Sequence, residues 1–420
     1  MIAVLLFLAI AWFAGFGMAL AIDRRASGAL LAGESLLFGI AGCSLPLLVI
    51  PWRRWIFVAA VMAIAIIAYA VAIRVHRDPE AVRTRRSALA IIFVVATIVL
   101  LIGYARLATA APLWEFDFLV DWGLKARQFF IAHGVDWAVL QGAWYRGTHP
   151  DYPPLLTLAF DGVAILRGSW SDGALGLLNV AFAGALLLAV YRFAIEETES
   201  SLAASFVTLA LVPLAAVPWI GLAEAPFIAY ATAALLLMRT RVSAAGAVML
   251  GLAAMTKNEG ASLIVAVAVA LIAVRRWREV PRLWPAVAIP LPWWILRSAH
   301  HLQTDITSGN VLARIAQHAS DPEVLHALVH YSLGKPLFWI ALAAGVALTF
   351  RGLDRFVVTA LALQLVFYLG AYLATPHDVS WHVQWSWERL VAHLTPALTF
   401  LVLVRLVVAA RRTKLAAEEG

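Results

Sequence analysis

The sequence predicts an all-α, polytopic transmembrane fold with about 13 spans, counted by the length that a bilayer requires. Of its 420 residues, 63% are hydrophobic and 14% are charged, and the mean hydropathy is +0.86. A soluble protein carries about 25% charged residues. Several stretches exceed the roughly 18 apolar residues that a spanning helix needs: 1–22, 88–110, 172–192, 355–375 and 392–410.

Arginines between the predicted spans set the orientation, because the positive-inside rule places such clusters in the cytoplasm. The clusters are Arg74, Arg77, Arg83, Arg85 and Arg86, then RRWR at 275–278 and RRTK at 411–414. All of them fall inside only if 153–168 does not cross the membrane but lies along its surface or dips into the protein. Four polar elements then share the extracytoplasmic face of the plasma (inner) membrane: 114–152, 256–260, 297–335 and 376–391.

The net charge, the cysteine count and the positions of the tryptophans restrict the possible functions further. The net charge of +7 comes mostly from these arginines, so it indicates anionic lipid and gives no argument for a nucleic-acid partner. One cysteine, Cys43, excludes an intramolecular disulfide and a thiolate metal cluster. Tryptophans at the predicted outer rim are typical of an interfacial aromatic belt: Trp114, Trp122, Trp137, Trp144, Trp293, Trp294, Trp381, Trp385 and Trp387.

Charged side chains concentrate in WEFDFLVDWGLKAR at 114–127. Asp117, Asp121 and Lys125 recur at four-residue intervals, so a helix would present them on one face. Asp121 and Lys125 could form an ordinary ion pair on a surface helix. Asp117 comes soon after a span end, where an unpaired carboxylate is costly. It is our candidate general base for a hydroxyl proton.

HPDYPPLL at 149–156 places Asp151 and Tyr152 beside two prolines, which force a turn or an extended backbone. The segment could be no more than a re-entry turn into the membrane. Asp151 could also cap the following helix, and we favour capping over a chemical role.

TKNEG at 256–260 places Lys257, Asn258 and Glu259 between two apolar spans. A tight turn is polar in any case, but Lys257 would also meet an anionic phosphate that approaches from outside. Arg389 is either a snorkelling anchor or a guanidinium fork for a phosphate.

Two further groups complete the candidates. Glu224, in WIGLAEAPF, is expected at an outer turn and could belong to the site. His326 and His330 have a spacing that can hold a metal. No HExxH arrangement accompanies them, so we predict that no metal is required.

Four motifs together resemble the GT-C superfamily of membrane glycosyltransferases, in a bacterial branch related to protein mannosyltransferases and the aminoarabinose transferase. They are FDFLVDWGLKAR at 116–127, HPDYPPLL at 149–156, TKNEG at 256–260 and ERLVAHLTP at 388–396. The resemblance covers residues from about 88 to the end. It implies a catalytic transmembrane module at 88–420, preceded by accessory spans at 1–87. Phe116 and Leu119 depart from tryptophans of the family pattern, and Asp121 stands at an apolar position.

The resemblance implies an inverting transfer of a sugar from a polyprenyl phosphate to an acceptor hydroxyl of a glycan, lipid or protein. Asp117 takes the role of the base. Lys257 and Arg389 bind the donor phosphate, while Asp121, Lys125, Asp151, Tyr152, Glu224, Asn258 and Glu259 line the pocket. The chain has neither GxGxxG nor GxxxxGK[ST], which agrees with a lipid-linked donor. Some relatives use a divalent ion and others do not. The sequence shows no clear carboxylate cage, so we predict that no metal or other cofactor is required. The main alternative is a multi-pass transporter or lipid flippase.

Overall fold

The computed structural model describes residues 1–75, 84–110, 113–142, 149–302, 309–334, 336–349 and 354–419. Within them the fold is all-α, as the composition predicts, and the β-contact described is an isolated bridge between Arg85 and Ser200. The helices are α1 Ile2–Ile22, α2 Gly28–Ser44, α3 Arg54–Val75, α4 Ala90–Ala110, α5 Gly123–Ala132, α6 Trp137–Gln141, α7 Leu155–Arg167, α8 Leu177–Thr198, α9 Ser201–Ala215, α10 Glu224–Leu237, α11 Ala244–Ala254, α12 Glu259–Ala273, α13 Trp284–Ala288, α14 Leu291–Ala299, α15 Val311–Ser320, α16 Pro322–Leu333, α17 Pro336–Thr349, α18 Arg355–Ala374 and α19 Val379–Glu419. A π-helical turn (Phe118–Trp122) and two 3-10 segments (Leu45–Leu48 and Trp277–Leu283) complete them.

Seven helices among the described residues are long and apolar enough to cross a membrane. They are Ile2–Ile22, Gly28–Leu48, Arg54–Val75, Ala90–Ala110, Leu177–Thr198, Arg355–Ala374 and Val379–Arg411. Pro322–Leu333 and Phe338–Ala347 would make eight if the pair, bent by 78°, is one span. Helices α9, α10, α11 and α12 are apolar but shorter. The chain is therefore a multi-pass membrane protein, and the count of about 13 spans stays a prediction.

The helices run between two ends of one bundle. The Asp117 end comprises residues 45–53, 113–142, 149–154, 216–224, 255–260 and 375–389. The Arg239 end comprises residues 22–28, 196–201, 238–244, 275–282 and 405–411. At the first end, the Tyr104 hydroxyl donates to the Val217 carbonyl at 2.8 Å. At the second, Arg411 Nη1 donates to the Thr198 carbonyl at 2.6 Å.

The arginine clusters meet at the Arg239 end. The Arg85 N–H bonds to the Glu199 carbonyl, next to the C-terminus of α8. Arg276 Nη1 donates to the Arg239 carbonyl at 3.0 Å, and α19 brings Arg411 to the same region. Arg77 and Arg83 lie outside the described residues. The clusters that the sequence assigns to one side thus share one end of the bundle.

Helix α7 corresponds to the ambiguous segment 153–168. It has 13 residues, of which all but the last two are buried. Its Leu155 N–H donates to the Met255 carbonyl at 3.0 Å, and Arg54 Nε reaches the Ile165 carbonyl at 3.3 Å. Both of its ends are therefore fastened to the Asp117 end.

The first three helices pack into the main body of the bundle. Helix α2 contacts α1, α7 and α8, and a continuous cluster of buried hydrophobic residues includes side chains from all of them. The approach of α1 and α2 requires a residue without a side chain, because a Cβ on Gly39 would overlap the Ala11 carbonyl. Small residues allow this backbone contact in membrane helices. The division at residue 87 stays a prediction.

Candidate functional site

Asp117 lies where the chain emerges from α4 and begins a wide helical turn. The π-helical turn Phe118–Trp122 follows it directly and leads into α5. Such turns occur frequently at functional sites. The Asp117 side chain keeps 34% of its surface exposed, so its carboxylate is accessible from the Asp117 end of the bundle.

Arg389 joins Asp117 to a second carboxylate from a distant part of the chain. Its Nη1 lies 2.5 Å from Asp117 Oδ2, and its Nε lies 2.6 Å from Glu224 Oε1. Glu224 is fully buried at the first residue of α10. The side chain is thus held by an ion pair on each side, unlike a snorkelling anchor, which extends freely toward the headgroups.

Lys257 extends the same network. Its Nζ lies 3.0 Å from Glu224 Oε1 and 3.2 Å from Glu259 Oε1. The side chain is almost fully buried, so TKNEG is more than a solvated turn. The turn requires a glycine at position 260, because a Cβ there would overlap the Ala254 backbone. Acids and bases therefore alternate in one continuous chain, which runs Asp117, Arg389, Glu224, Lys257 and Glu259.

Burial and charge compete within this network. Burial by itself lowers the pKa of Lys257, but Glu224 and Glu259 outweigh it, so the pKa lies above its ordinary value. Burial raises the pKa of Glu115, and Arg389 offsets part of that rise. Lys257 is therefore a permanent cation, while Glu115 is more easily protonated than an exposed glutamate.

Asp151 belongs to the next group of contacts, and its predicted capping role is wrong. Helix α7 begins after Pro154 with no side-chain cap, because Met255 satisfies its first N–H. The buried Asp151 carboxylate instead accepts a 2.6 Å hydrogen bond from Asn258 Nδ2. Arg297 Nη1 lies 3.6 Å from the same oxygen, Oδ2. Asp151 and Asn258 thus couple the HPDYPPLL and TKNEG motifs directly.

Asp121 and Lys125 pair with each other, but below the surface. Their side chains are 3% and 2% exposed, and the Asp121 Oδ1 to Lys125 Nζ distance is 2.5 Å. Lys125 Nζ also donates to the His149 carbonyl at 2.6 Å and lies 5.8 Å from the centre of the Tyr152 ring. Burial raises the pKa of Asp121 to about 6, against the opposing effect of Lys125. This pair fastens α5 to the HPDYPPLL segment, so the predicted surface ion pair is a buried one.

Large apolar side chains border the site on its open side. Trp114, Phe116 and Leu119 are exposed beside Asp117, and Trp381 and Trp385 are exposed on α19 before Arg389. Exposed tryptophans of this kind mark the boundary between lipid and water. The predicted Trp144 lies outside the described residues. A ligand that reaches Asp117 would pass this apolar border.

The histidines of the loops serve other contacts. The rings of His326 and His330 stack with centres 5.9 Å apart, and His318 Nδ1 lies 2.9 Å from the Leu373 carbonyl. No group of three or more His, Cys, Asp or Glu side chains that could hold a metal occurs in the described part of the chain. Metal dependence stays a prediction.

The chain matches no protein-family model, no curated protein and no solved structure.

All ten predicted site residues lie in three groups of contacts at the Asp117 end: the ion-pair network, Asp151 with Asn258, and Asp121 with Lys125 and Tyr152. Sequence reasoning missed three members. Arg297 faces Asp151, and Glu115 lies near Arg389 and Glu224. His393, one helical turn after Arg389, hydrogen-bonds to the Tyr368 hydroxyl at 3.1 Å inside the bundle. The i, i+4 spacing of Arg389 and His393 could have placed His393 on the same helix face as Arg389.

Proposed function

We propose that this protein is an inverting glycosyltransferase that moves a sugar from a polyprenyl-phosphate donor to an acceptor hydroxyl. The observation that carries the proposal is the convergence of Asp117, Lys257 and Arg389, which come from three distant segments of the chain. Asp117 is an accessible carboxylate that pairs with Arg389, and Glu224 links Arg389 to Lys257. Such an arrangement can supply both a base and a phosphate site. The sequence resemblance assigns the same three residues to the same roles.

The proposed reaction is a single displacement at the anomeric carbon. The acceptor oxygen forms the new bond as the bond from the anomeric carbon to the phosphate oxygen breaks, which inverts the configuration. The hydroxyl proton passes to Asp117, whose Oδ2 is held by Arg389. The leaving polyprenyl phosphate keeps the bonding electron pair, and the guanidinium and ammonium groups stabilise its added charge.

Glu224 positions the two cations in this mechanism. It contacts both Arg389 and Lys257 through Oε1, while its Oε2 is buried without a hydrogen-bond partner among the described residues. One buried carboxylate thus holds two cations whose charges would otherwise repel each other. Glu224 sets the spacing of the phosphate site without touching the reacting atoms. Asp151, Asn258 and Tyr152 form the neighbouring wall, where we place the acceptor.

We place the reaction on the extracytoplasmic side of the plasma (inner) membrane. The arginine clusters gather at the Arg239 end, which the positive-inside rule assigns to the cytoplasm. The Asp117 network lies at the opposite end of the bundle. The exposed aromatic side chains around it, Trp114, Phe116 and Trp385, suit a substrate whose lipid tail stays in the membrane.

A transporter or flippase is the second candidate, favoured by one observation. Asp161 is fully buried on α7, and neither of its carboxylate oxygens has a hydrogen-bond partner among the described residues. Unpaired acids within a membrane bundle mark proton or substrate pathways in transporters. However, Asp161 forms none of the ion pairs of the charge network, whereas Glu224 connects Asp117, Arg389 and Lys257 through such pairs.

The test compares cells that carry the wild type, Asp117→Asn or Asp172→Asn. Asp172 is a matched control, since it accepts a hydrogen bond from Trp170 near the same end and lies outside the network. We expect Asp117→Asn to insert normally and to leave polyprenyl-phosphate-linked sugar unused on the outer leaflet, with transfer reduced about 100-fold or more. Sugar retained on the inner leaflet would support a flippase instead, and unchanged transfer would reject Asp117 as the base.

A further inference from the structure

The Arg239 end contains a cavity that the proposed reaction does not use. Its volume is about 420 Å³, and it lies between the α1–α2 connection, the C-terminus of α8 and the α10–α11 connection. Its lining includes Arg24, Arg25, Arg239, Arg241 and Arg282. Three acidic residues also line it: Asp23, Glu196 and Glu197. Five arginines against three carboxylates leave the cavity with an excess of positive charge.

Two of the three acidic residues form ion pairs with arginines. Arg239 pairs with Glu197 and, at 3.2 Å, with Asp354. Glu196 pairs with Arg192 at 3.1 Å. These contacts pair two of the cavity's three carboxylates with arginine side chains.

Four of the five arginines that line the cavity have no such partner. Arg24, Arg25, Arg241 and Arg282 are exposed, and none of them forms an ion pair with a carboxylate in the part of the chain that the structure describes. A planar guanidinium group matches the geometry of a phosphate oxygen pair. Several unpaired guanidinium groups around one cavity therefore form a receptor for a phosphate.

The floor of the cavity is apolar. Leu30, Phe193, Val242 and Phe400 contribute to its lining, so apolar groups lie directly beneath the cationic rim. Trp277 and Trp284 flank Arg282 along the chain and are 60% and 70% exposed, as side chains at the lipid headgroup level are. A free phosphate ion would leave this apolar floor unused, whereas a lipid would cover it with the first carbons of its tail.

We propose that this cavity binds the phosphate headgroup of an anionic membrane phospholipid. The phosphate lies among Arg24, Arg25 and Arg241, and the glycerol and first acyl carbons lie over Phe193 and Leu30. The ligand belongs to the leaflet opposite the Asp117 network. The proposal is independent of the proposed transferase activity, because no residue of the network lines the cavity.

Native mass spectrometry of the purified full chain in detergent tests the proposal, with phosphatidylglycerol, phosphatidylcholine and inorganic phosphate as separate probes. The wild type should retain phosphatidylglycerol in preference to both of the others. Arg24→Gln with Arg241→Gln should weaken phosphatidylglycerol binding about tenfold or more, since each arginine near anionic lipid contributes appreciably. Arg24→Lys with Arg241→Lys should retain most of it.

The matched control is Arg86→Gln with Arg278→Gln, which removes two exposed arginines from the same end but outside the cavity. It should change binding less than twofold. If the control loses as much phosphatidylglycerol as the cavity variant, general surface charge explains the binding and the proposal fails. If inorganic phosphate binds as tightly as the lipid, the assignment to a phospholipid is overturned. Should the cavity variant melt at a lower temperature, Arg25→Gln with Arg282→Gln is measured in its place.

Discussion

The Asp117 network and the cavity at the Arg239 end differ in how many of their cations are paired with carboxylates. At the Asp117 end, Arg389 and Lys257 are buried or half-buried and each is held by two carboxylates. At the Arg239 end, Arg24 and Arg241 are exposed around a cavity and pair with no described carboxylate. Cations fixed in a network suit a site that must hold its geometry through a reaction. Cations left unpaired suit a site that only binds.

The basic residues of the two ends are also distributed differently along the sequence. The arginines of the Arg239 end follow one another in the chain, and they set orientation through their number. The cations of the Asp117 end are single residues from distant segments, and their partners define them. Charge density along the sequence therefore identifies the first end, while only spatial convergence identifies the second.

The largest effect is expected for Glu224→Gln. The change leaves Lys257 and Arg389 near each other with one buried negative charge removed, so the free energy of unfolding should fall by about 3 kcal/mol or more. Thermal melting of the purified protein in detergent measures it.

Glu196→Gln is the control for this change, because Glu196 pairs with Arg192 at the surface of the Arg239 end. A partly exposed pair contributes less than about 1 kcal/mol. Equal losses in the two variants would contradict the difference between the ends.

The pH dependence of stability gives the next effect. The pKa of the Asp121 carboxyl is about 6 in the folded protein and 3.8 as its ordinary value. The folded state therefore binds the proton more tightly, and stability falls as pH rises from about 4 to about 6. The loss is roughly 3 kcal/mol at most, fully present above pH 6.

Asp121→Asn should remove this dependence, because it replaces the titrating group by a neutral one of the same shape. Melting temperatures between pH 4 and pH 7.5 measure it in both proteins. A slope that persists unchanged in the variant would show that another group titrates.

A smaller effect is expected for Asn258→Ala. The change leaves Asp151 Oδ2 buried without its 2.6 Å hydrogen bond, and such a loss costs about 1–3 kcal/mol. Gln317→Ala, on the exposed face of α15, should leave the melting temperature within error. A neutral result at Asn258 would mean that Arg297 alone satisfies Asp151.

The sequence could predict most of the fold, because apolar length and arginine placement are local properties. Asp161 and the later arginine clusters also argue from the sequence that α7 does not cross the membrane, and in the structure both ends of α7 contact residues near the Asp117 end. The breaks between helices are harder to predict. Helices α9 to α12 are so short that their composition does not distinguish a membrane span from a buried helix.

The site is harder to predict from the sequence than the fold. Asp117, Lys257 and Arg389 each stood in a recognisable motif, but nothing in the sequence showed that Glu224 holds two of them. Asp151 was expected to cap α7, and the structure gives it Asn258 instead. Pairings over more than a hundred residues depend on how the helices pack, and a single sequence carries no record of that packing.

The central claim is that the Asp117 end faces the outside and the Arg239 end faces the cytoplasm. Labelling with a membrane-impermeant thiol reagent tests it most directly, in a Cys43→Ser background that removes the one native thiol. Arg127→Cys, on α5, and Arg278→Cys, in the arginine cluster, place single exposed cysteines at the two ends. In intact cells the account predicts labelling at position 127 and none at 278 until the membrane is permeabilised. Labelling at 278 alone in intact cells would contradict it.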